Sequence, residues 1–333
     1  MVHAGEIIND CFNKTKDLFF PVRLKYWMKM GFVSLFSGNE GYGGSSGGNG
    51  GNRNSDFQNI DWKQALSQFN SEALGFLSKY GQIVGIVFFI LYLISLFFTY
   101  VSSVFTFVFI DGIIKKDLSI KKSFSENKAH GSQLFLLRLV LGIVDMIIFV
   151  LIFFPLFSAF FSNSLADFNF WHLIPMVIGF VLYAILVGLF LFFVYDFVVP
   201  IMYLQKYPLR QAWDHFVIIA RKQKMEIFLY WLIKTGLAIA SGILILILVI
   251  VLLIPIIIIA LLFVALGVLF YFLSKAFRFE YIGIALAILL FIIFLSFMVY
   301  ALSVIFVPVP AFFKLYSIEM VKRLEKGAIK LKK

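Results

Sequence analysis

The sequence predicts an all-α integral membrane protein, a bundle of about six transmembrane helices, and three observations carry that reading. Of its residues 62% are hydrophobic and 14% charged, with a mean hydropathy of +0.97, too few charges to cover a water-soluble domain of 333 residues. Four apolar runs are each long enough for the roughly 20 residues that cross about 30 Å of hydrocarbon. Basic residues flank those runs in alternation, as they do where one side of a membrane is cytoplasmic.

The elements follow in order. Residues 4–37 read as a basic interfacial helix and a short first span, Leu24–Ser37, interrupted by Lys25 and Lys29. Residues 38–60 form a glycine/serine/asparagine loop that buries too little to order itself, and 61–81 a surface helix on the external side. Spans are expected at 82–110, 134–161, 173–199, 227–254 and 282–307. The apolar stretch from Ile227 to Leu273 is too long for one crossing, so Pro255 is expected to divide it. That leaves 256–273 as an outer-leaflet or re-entrant segment, with a seventh crossing as the alternative. A basic tail, 310–333, completes the single membrane domain.

Orientation comes from the lysines and arginines. The N-terminal stretch, 111–132, 201–225 and the tail together hold 22 of 29 basic residues, against five in the linkers 38–81, 162–172 and 274–281. The first set is expected inside and both termini cytoplasmic, in the cell membrane. The first ten residues lack a signal peptide's basic-then-apolar pattern, so the first span is expected to stay. The formal charge of +11 invites a nucleic-acid reading, but these cations sit beside apolar spans, and no nucleic-acid partner is expected.

Three stretches line up as an internal repeat: Ala4–Gly31, Asp117–Gly142 and Tyr207–Gly236. Each is a basic amphipathic helix with one aromatic anchor (Phe12, Phe124, Trp213) that enters an apolar span and reaches a glycine 18 to 23 residues later. Three pseudo-repeated hairpins would give six crossings. The lipid bilayer and its anionic headgroups are the expected partners of these helices.

Catalytic patterns are weak. Gly43 to Gly47 matches GxSxG, but a glycine-rich loop lacks the strand-to-helix turn that exposes a nucleophile. His3, His130, His172 and His215 are scattered, and one cysteine, Cys11, makes no disulfide or multi-cysteine site, so no metal or cofactor is expected. The best lead is the set of ionisable residues inside spans, which are costly there: Asp145 near the bilayer centre, Lys234, and Arg138 with Asp196, placed to pair with each other. Gly81-xxx-Gly85 and Ala238-xxx-Gly242 are spacings that allow close helix approach.

The run RLKYWMKMGFVSLFSGNEGYGG, with FIDGIIKKDLSIKKSF and VVPIMYLQKYPLRQAW, resembles a group of uncharacterised, mainly archaeal, polytopic membrane proteins. It is also distantly similar to the membrane domain of some glycerophosphodiester phosphodiesterases. The resemblance implies a helical membrane fold and carries over no catalytic residue. The functional expectation is a non-enzymatic membrane protein, transporter-like, scaffolding or lipid-interacting. The alternatives are an intramembrane enzyme on lipid substrates using Asp145, and an assembly subunit binding a protein partner through 38–81.

Overall fold

A computed structural model describes residues 4–37, 62–165, 168–276 and 280–330. The described chain is helical throughout, without strands: α1 (Ala4–Phe19), α2 (Leu24–Phe36), α3 (Trp62–Lys115), α4 (Ile120–Phe161), α5 (Leu173–Phe193), α6 (Val199–Gln205), α7 (Leu209–Lys222), α8 (Lys224–Ala276), α9 (Glu280–Phe306) and α10 (Pro308–Lys330). A π turn, Val194–Val198, joins α5 to α6 in one continuous rod. The loop expected at 38–60, with its GxSxG match, lies outside the described residues.

Among the described residues, five helices are long and apolar enough to cross a membrane: Lys63–Lys115, Ile120–Phe161, Leu173–Gln205, Lys224–Phe272 and Ile284–Phe306. Their most apolar stretches are between 0% and 6% buried inside the protein, the surface that a membrane-spanning helix presents to lipid. Helix α2 is not among the five. Its 13 residues rise about 20 Å, short of the hydrocarbon thickness, so α2 alone does not complete the crossing expected at Leu24–Ser37, and the chain that follows it lies outside the described residues.

Two other expected boundaries are absent. The surface helix at 61–81 and the span at 82–110 are one helix, α3, with no break between them. Pro255 sits inside α8 without ending it. In hydrocarbon a freed carbonyl has no water to turn toward, so a proline interrupts one backbone bond and the helix goes on.

The packed core lies at one end, where the helices meet. It joins the stripe Ile7, Cys11, Thr15 and Leu18 of α1, residues 104–113 of α3, residues 194–203, the face Ala212, Phe216 and Ile219 of α7, and α10. Positions four, seven and eight apart bring one helix face inward, which is why these short helices bury a stripe and leave their lysines outside. Two ion pairs, Lys14–Glu319 (2.9 Å) and Arg323–Asp10 (2.8 Å), lace α1 to α10. From this base α3 and α4 run out as an antiparallel pair, held near the core by Ser123 on Asp111 and far from it by Asn70 on Asn163 (3.0 Å). Of the three anchors, only Phe12 is exposed. Phe124 packs on Phe105, and Trp213 on Phe190 and Phe216, so these two turn inward to the core.

Close helix approach occurs elsewhere than the small-residue spacings suggest. A β-carbon on Gly81, Gly85, Gly142, Gly236 or Gly242 would meet nothing within 4 Å. On Gly31 it would fall 2.7 Å from the Val304 Cα, and on Gly131 2.7 Å from the Val104 Cα. These two glycines let backbones touch at the rim of the core. Gly31→Ala and Gly131→Ala should each lower stability by about 1–3 kcal/mol, while Gly85→Ala stays near neutral. Thermal unfolding in detergent reads the difference, and equal behaviour of all three variants would refute the close packing.

Candidate functional site

Two polar centres sit where apolar helices meet the base. The first is a cleft between α3, α4 and α5 with a volume of about 410 Å³. Helix α3 contributes Ser95, Thr99 and Ser102, spaced four and three apart on one face. Helix α4 contributes Arg138, Gly142 and Asp145 at the same spacing, and α5 closes the back with Val187 and Leu191. Gly142 keeps the space between the two charges clear.

Arg138 donates through Nη1 to Ser102 Oγ (2.9 Å) and through Nε to the Tyr195 hydroxyl, with its guanidinium 5.2 Å from that ring's centre. Asp145 accepts a hydrogen bond from the Tyr183 hydroxyl. Seven residues separate the two charges, a rise of about 10 Å along α4. The cleft thus has a cationic end nearer the core, a carboxylate farther out, and hydroxyls between.

The second centre is closed. Asp196 is 6% exposed and Lys234 7%, and they form an ion pair. Tyr230 adds a hydroxyl to the same carboxylate (3.2 Å), and Lys234 lies 5.3 Å from the Phe192 ring centre. Ser317 donates to the Asp196 carbonyl (2.5 Å) and Lys314 to the Tyr195 carbonyl (2.9 Å), so α10 seals the pair from below. The π turn makes both centres possible. Inserting one residue per turn re-aims the side chains, and consecutive residues face different helices: Tyr195 toward α4, Asp196 toward α8.

The four ionisable residues singled out in the sequence therefore divide. Arg138 and Asp145 line one cavity. Asp196 pairs with Lys234 rather than with Arg138, whose bond within the π turn goes to the neighbouring Tyr195. Asp111, at the boundary of its apolar run, is 1% exposed; it binds Ser123, Tyr203 and Lys115 and fastens the α3–α4 turn to α6. The tyrosines that bond these charged residues are not legible in the sequence, since nothing marks a tyrosine in an apolar run as polar in purpose.

Other reactive groups are spoken for. Burial pushes the Cys11 thiol up to about 12, which keeps it protonated and inert. His130 packs on Phe107, and His215 lies 3.7 Å from Glu325. Among the described residues no three His, Cys, Asp or Glu side chains converge as a metal site requires.

The profile of the family of unknown function DUF7544 matches residues 2–328, nearly the whole sequence, and the chain belongs to that family. No curated protein and no solved structure matches it. The distant likeness to the phosphodiesterase membrane domain and the archaeal link draw no support from these comparisons.

Removing one partner of a buried pair strands the other. Lys234→Met should cost about 3 kcal/mol or more, and Asp196→Leu combined with Lys234→Met should recover much of that loss in a double-mutant cycle of thermal unfolding. Additive losses would show that the pair is not coupled. Lys314 gives a pH signature, because burial pushes its ammonium down to about 8 although Asp196 pulls it upward. The unfolded lysine titrates near pH ~10.4, so between these values the native state holds fewer protons and stability rises with pH. Below pH 8 the burial penalty is present in full. Melting of the wild type should gain on Lys314→Met as pH moves from about 7 to about 9.5; a constant gap would sink this assignment.

Proposed function

We propose, the family lending no activity, that this chain is a non-enzymatic multi-pass protein of the cell membrane that holds a bilayer lipid. The cleft takes a zwitterionic headgroup sideways, its phosphate against Arg138 and Ser102 and its ammonium toward Asp145. One observation carries the reading: two opposite charges, about 10 Å apart on one helix face, line the same cavity among helices that only lipid can cover. Charges are expensive to keep among apolar helices, and a site that holds both signs at separate ends of one cavity is matched to a ligand that brings both.

The packed base supports lipid holding over transport. Tyr195, Asp196, Tyr230 and Tyr316 are buried beneath the cleft, with Tyr230 and Tyr316 stacked at 4.9 Å, and they close off a route toward the core. The lysine distribution supports cytoplasmic termini and a base on the inner side. The apolar rod Lys224–Phe272 has 49 residues, about 73 Å, more than twice the hydrocarbon thickness. Its far part, 256–273, therefore belongs along the outer leaflet beside α9.

A repeated unit is part of the same reading. Val104 and Val304, the partners of Gly131 and Gly31, close matching five-residue runs, Tyr100-x-x-Ser103-Val104 and Tyr300-x-x-Ser303-Val304. Lys116 and Lys206, each ending a helix that returns to the base, share a left-handed backbone (φ 55° and 57°). The unit is in register through Gly31 and Gly131 rather than Gly142 and Gly236.

The second reading, an intramembrane enzyme, draws on the Tyr183–Asp145 bond, a proton donor and acceptor side by side. Lipid analysis separates the two. Arg138→Gln and Asp145→Asn should each reduce co-purifying phosphatidylethanolamine or phosphatidylcholine at least about fivefold; the melting temperature should change little in Asp145→Asn and fall in Arg138→Gln, which also loses its bonds to Ser102 and Tyr195. Unchanged lipid content in both variants would remove the headgroup reading, and turnover of added lipid by the wild type but not by Asp145→Asn would establish the enzyme.

A further inference from the structure

A second polar hollow lies at the corner where α1 turns into α2. Its volume is about 290 Å³, and its lining is Arg23, Lys25, Tyr26 and Lys29 from the start of α2 with Lys116 and Asp117 from the α3–α4 turn. Four cations thus face one carboxylate. The walls are fixed by bonds between the two elements. Lys29 donates to the Leu118 carbonyl (2.7 Å), and the Tyr26 hydroxyl to the Gly112 carbonyl (3.0 Å). The corner is held as well, because Trp27 donates its indole N–H to the Phe19 carbonyl (2.9 Å) and its ring meets Phe19 edge-on at 5.2 Å. Arg23 stands at the N-cap position of α2 and makes no side-chain cap bond. The positive end of the helix therefore adds to the field of the cations.

An apolar collar surrounds this hollow. Phe20 is 56% exposed, Val22 60% and Leu24 67%, and Met28 follows one turn on. Phe20 meets the Trp27 ring edge-on at 6.3 Å, yet all four side chains stay largely exposed, and burying them in the acyl boundary sets the basic hollow at headgroup depth. A free anion would need the cations alone; the collar fits an anion that carries acyl chains.

We propose that the hollow is a binding site for the phosphate of an anionic membrane lipid, with a phosphomonoester headgroup such as that of phosphatidic acid as the chemistry it suits. Lys25, Lys116 and Arg23 bind the phosphate oxygens. Lys29, committed to the Leu118 carbonyl, holds the wall. Asp117 faces the rim and disfavours ligands that present more negative charge beyond the phosphate. This site is separate from the cleft at Arg138 and Asp145 and stands on different residues, a different depth and a ligand of different charge.

The test uses the full chain in detergent, titrated with short-chain phosphatidic acid, with phosphatidylcholine and with inorganic phosphate, and bound lipid counted by native mass spectrometry. Phosphatidic acid should bind in preference to phosphatidylcholine. Lys25→Gln with Lys116→Gln should weaken it roughly 20-fold, about fivefold per lysine, with an unchanged melting temperature. The charge-matched control Lys16→Gln with Lys121→Gln, at exposed positions outside the hollow, should stay within about twofold. Equal loss in both double variants would reduce the effect to diffuse surface charge and overturn the site. Displacement of the lipid by an equal concentration of inorganic phosphate would overturn the lipid as its occupant. Should the first variant fail to fold, a photoactivatable phosphatidic acid on the wild type decides: labelling at 23–29 and 116–117 supports the site, and labelling elsewhere ends it.

Discussion

The π turn at Val194–Val198 is the joint on which the arrangement depends. Adjacent residues on any helix point about 100° apart, and the widened turn shifts the directions in which this pair, Tyr195 and Asp196, faces its neighbours. One widened turn lets Tyr195 hold Arg138 of α4 while Asp196 holds Lys234 of α8. Helix α10 then grips the same turn by its backbone, through Lys314 and Ser317. Three helices and the terminal one are thereby registered by five consecutive residues. Straightening the turn would release a buried carboxylate, a buried ammonium and an arginine together.

That joint sits at the rim of the packed base, and the placement is physical rather than incidental. Between apolar helices in lipid there is no hydrophobic drive to associate, because acyl chains are as apolar as leucine. Association must come from close backbone packing and from polar bonds. Among the described glycines, close backbone approach occurs at Gly31 and Gly131, and Gly112 packs closely on the Met30 side chain, all beside the core. Polar bonds cluster there too, at Asp111, Asp196 and Arg138. Farther out, the helices touch through phenylalanines, as Phe149 and Phe153 meet Phe180 and Phe263 meets Phe294. The protein is welded at one end and loosely sided at the other, which leaves its outer helix faces to the bilayer.

Much of this was legible from composition and much was not. The apolar runs mark every helix that can cross, and the lysine clusters mark the turns at the base, because length and charge are properties of single segments. Pairing is a property of two segments and left no trace: Arg138 and Asp196 look complementary along the chain, yet the π turn separates them. Tyr183, Tyr195 and Tyr230 were invisible as partners among 14 tyrosines. Pro255 was overread, since a breaker's effect depends on whether water is present to receive the freed carbonyl.

The contrast between the two ionic centres decides which one is a site. Asp196 and Lys234 satisfy each other, with Tyr230 completing the carboxylate's bonds, and both lie under 10% exposed. A ligand arriving there would have to break what it replaces, at a cost of several kcal/mol for each stranded charge. Arg138 and Asp145 are also expensive to keep among apolar helices, but the fold holds them apart by two helical turns and clears the space between with Gly142. Ser102 and Tyr195 bond the arginine and Tyr183 the aspartate, so each charge is held in a fixed direction. The cleft keeps the two opposite charges at separate ends of one cavity among apolar helices, an arrangement that suits a ligand carrying both signs.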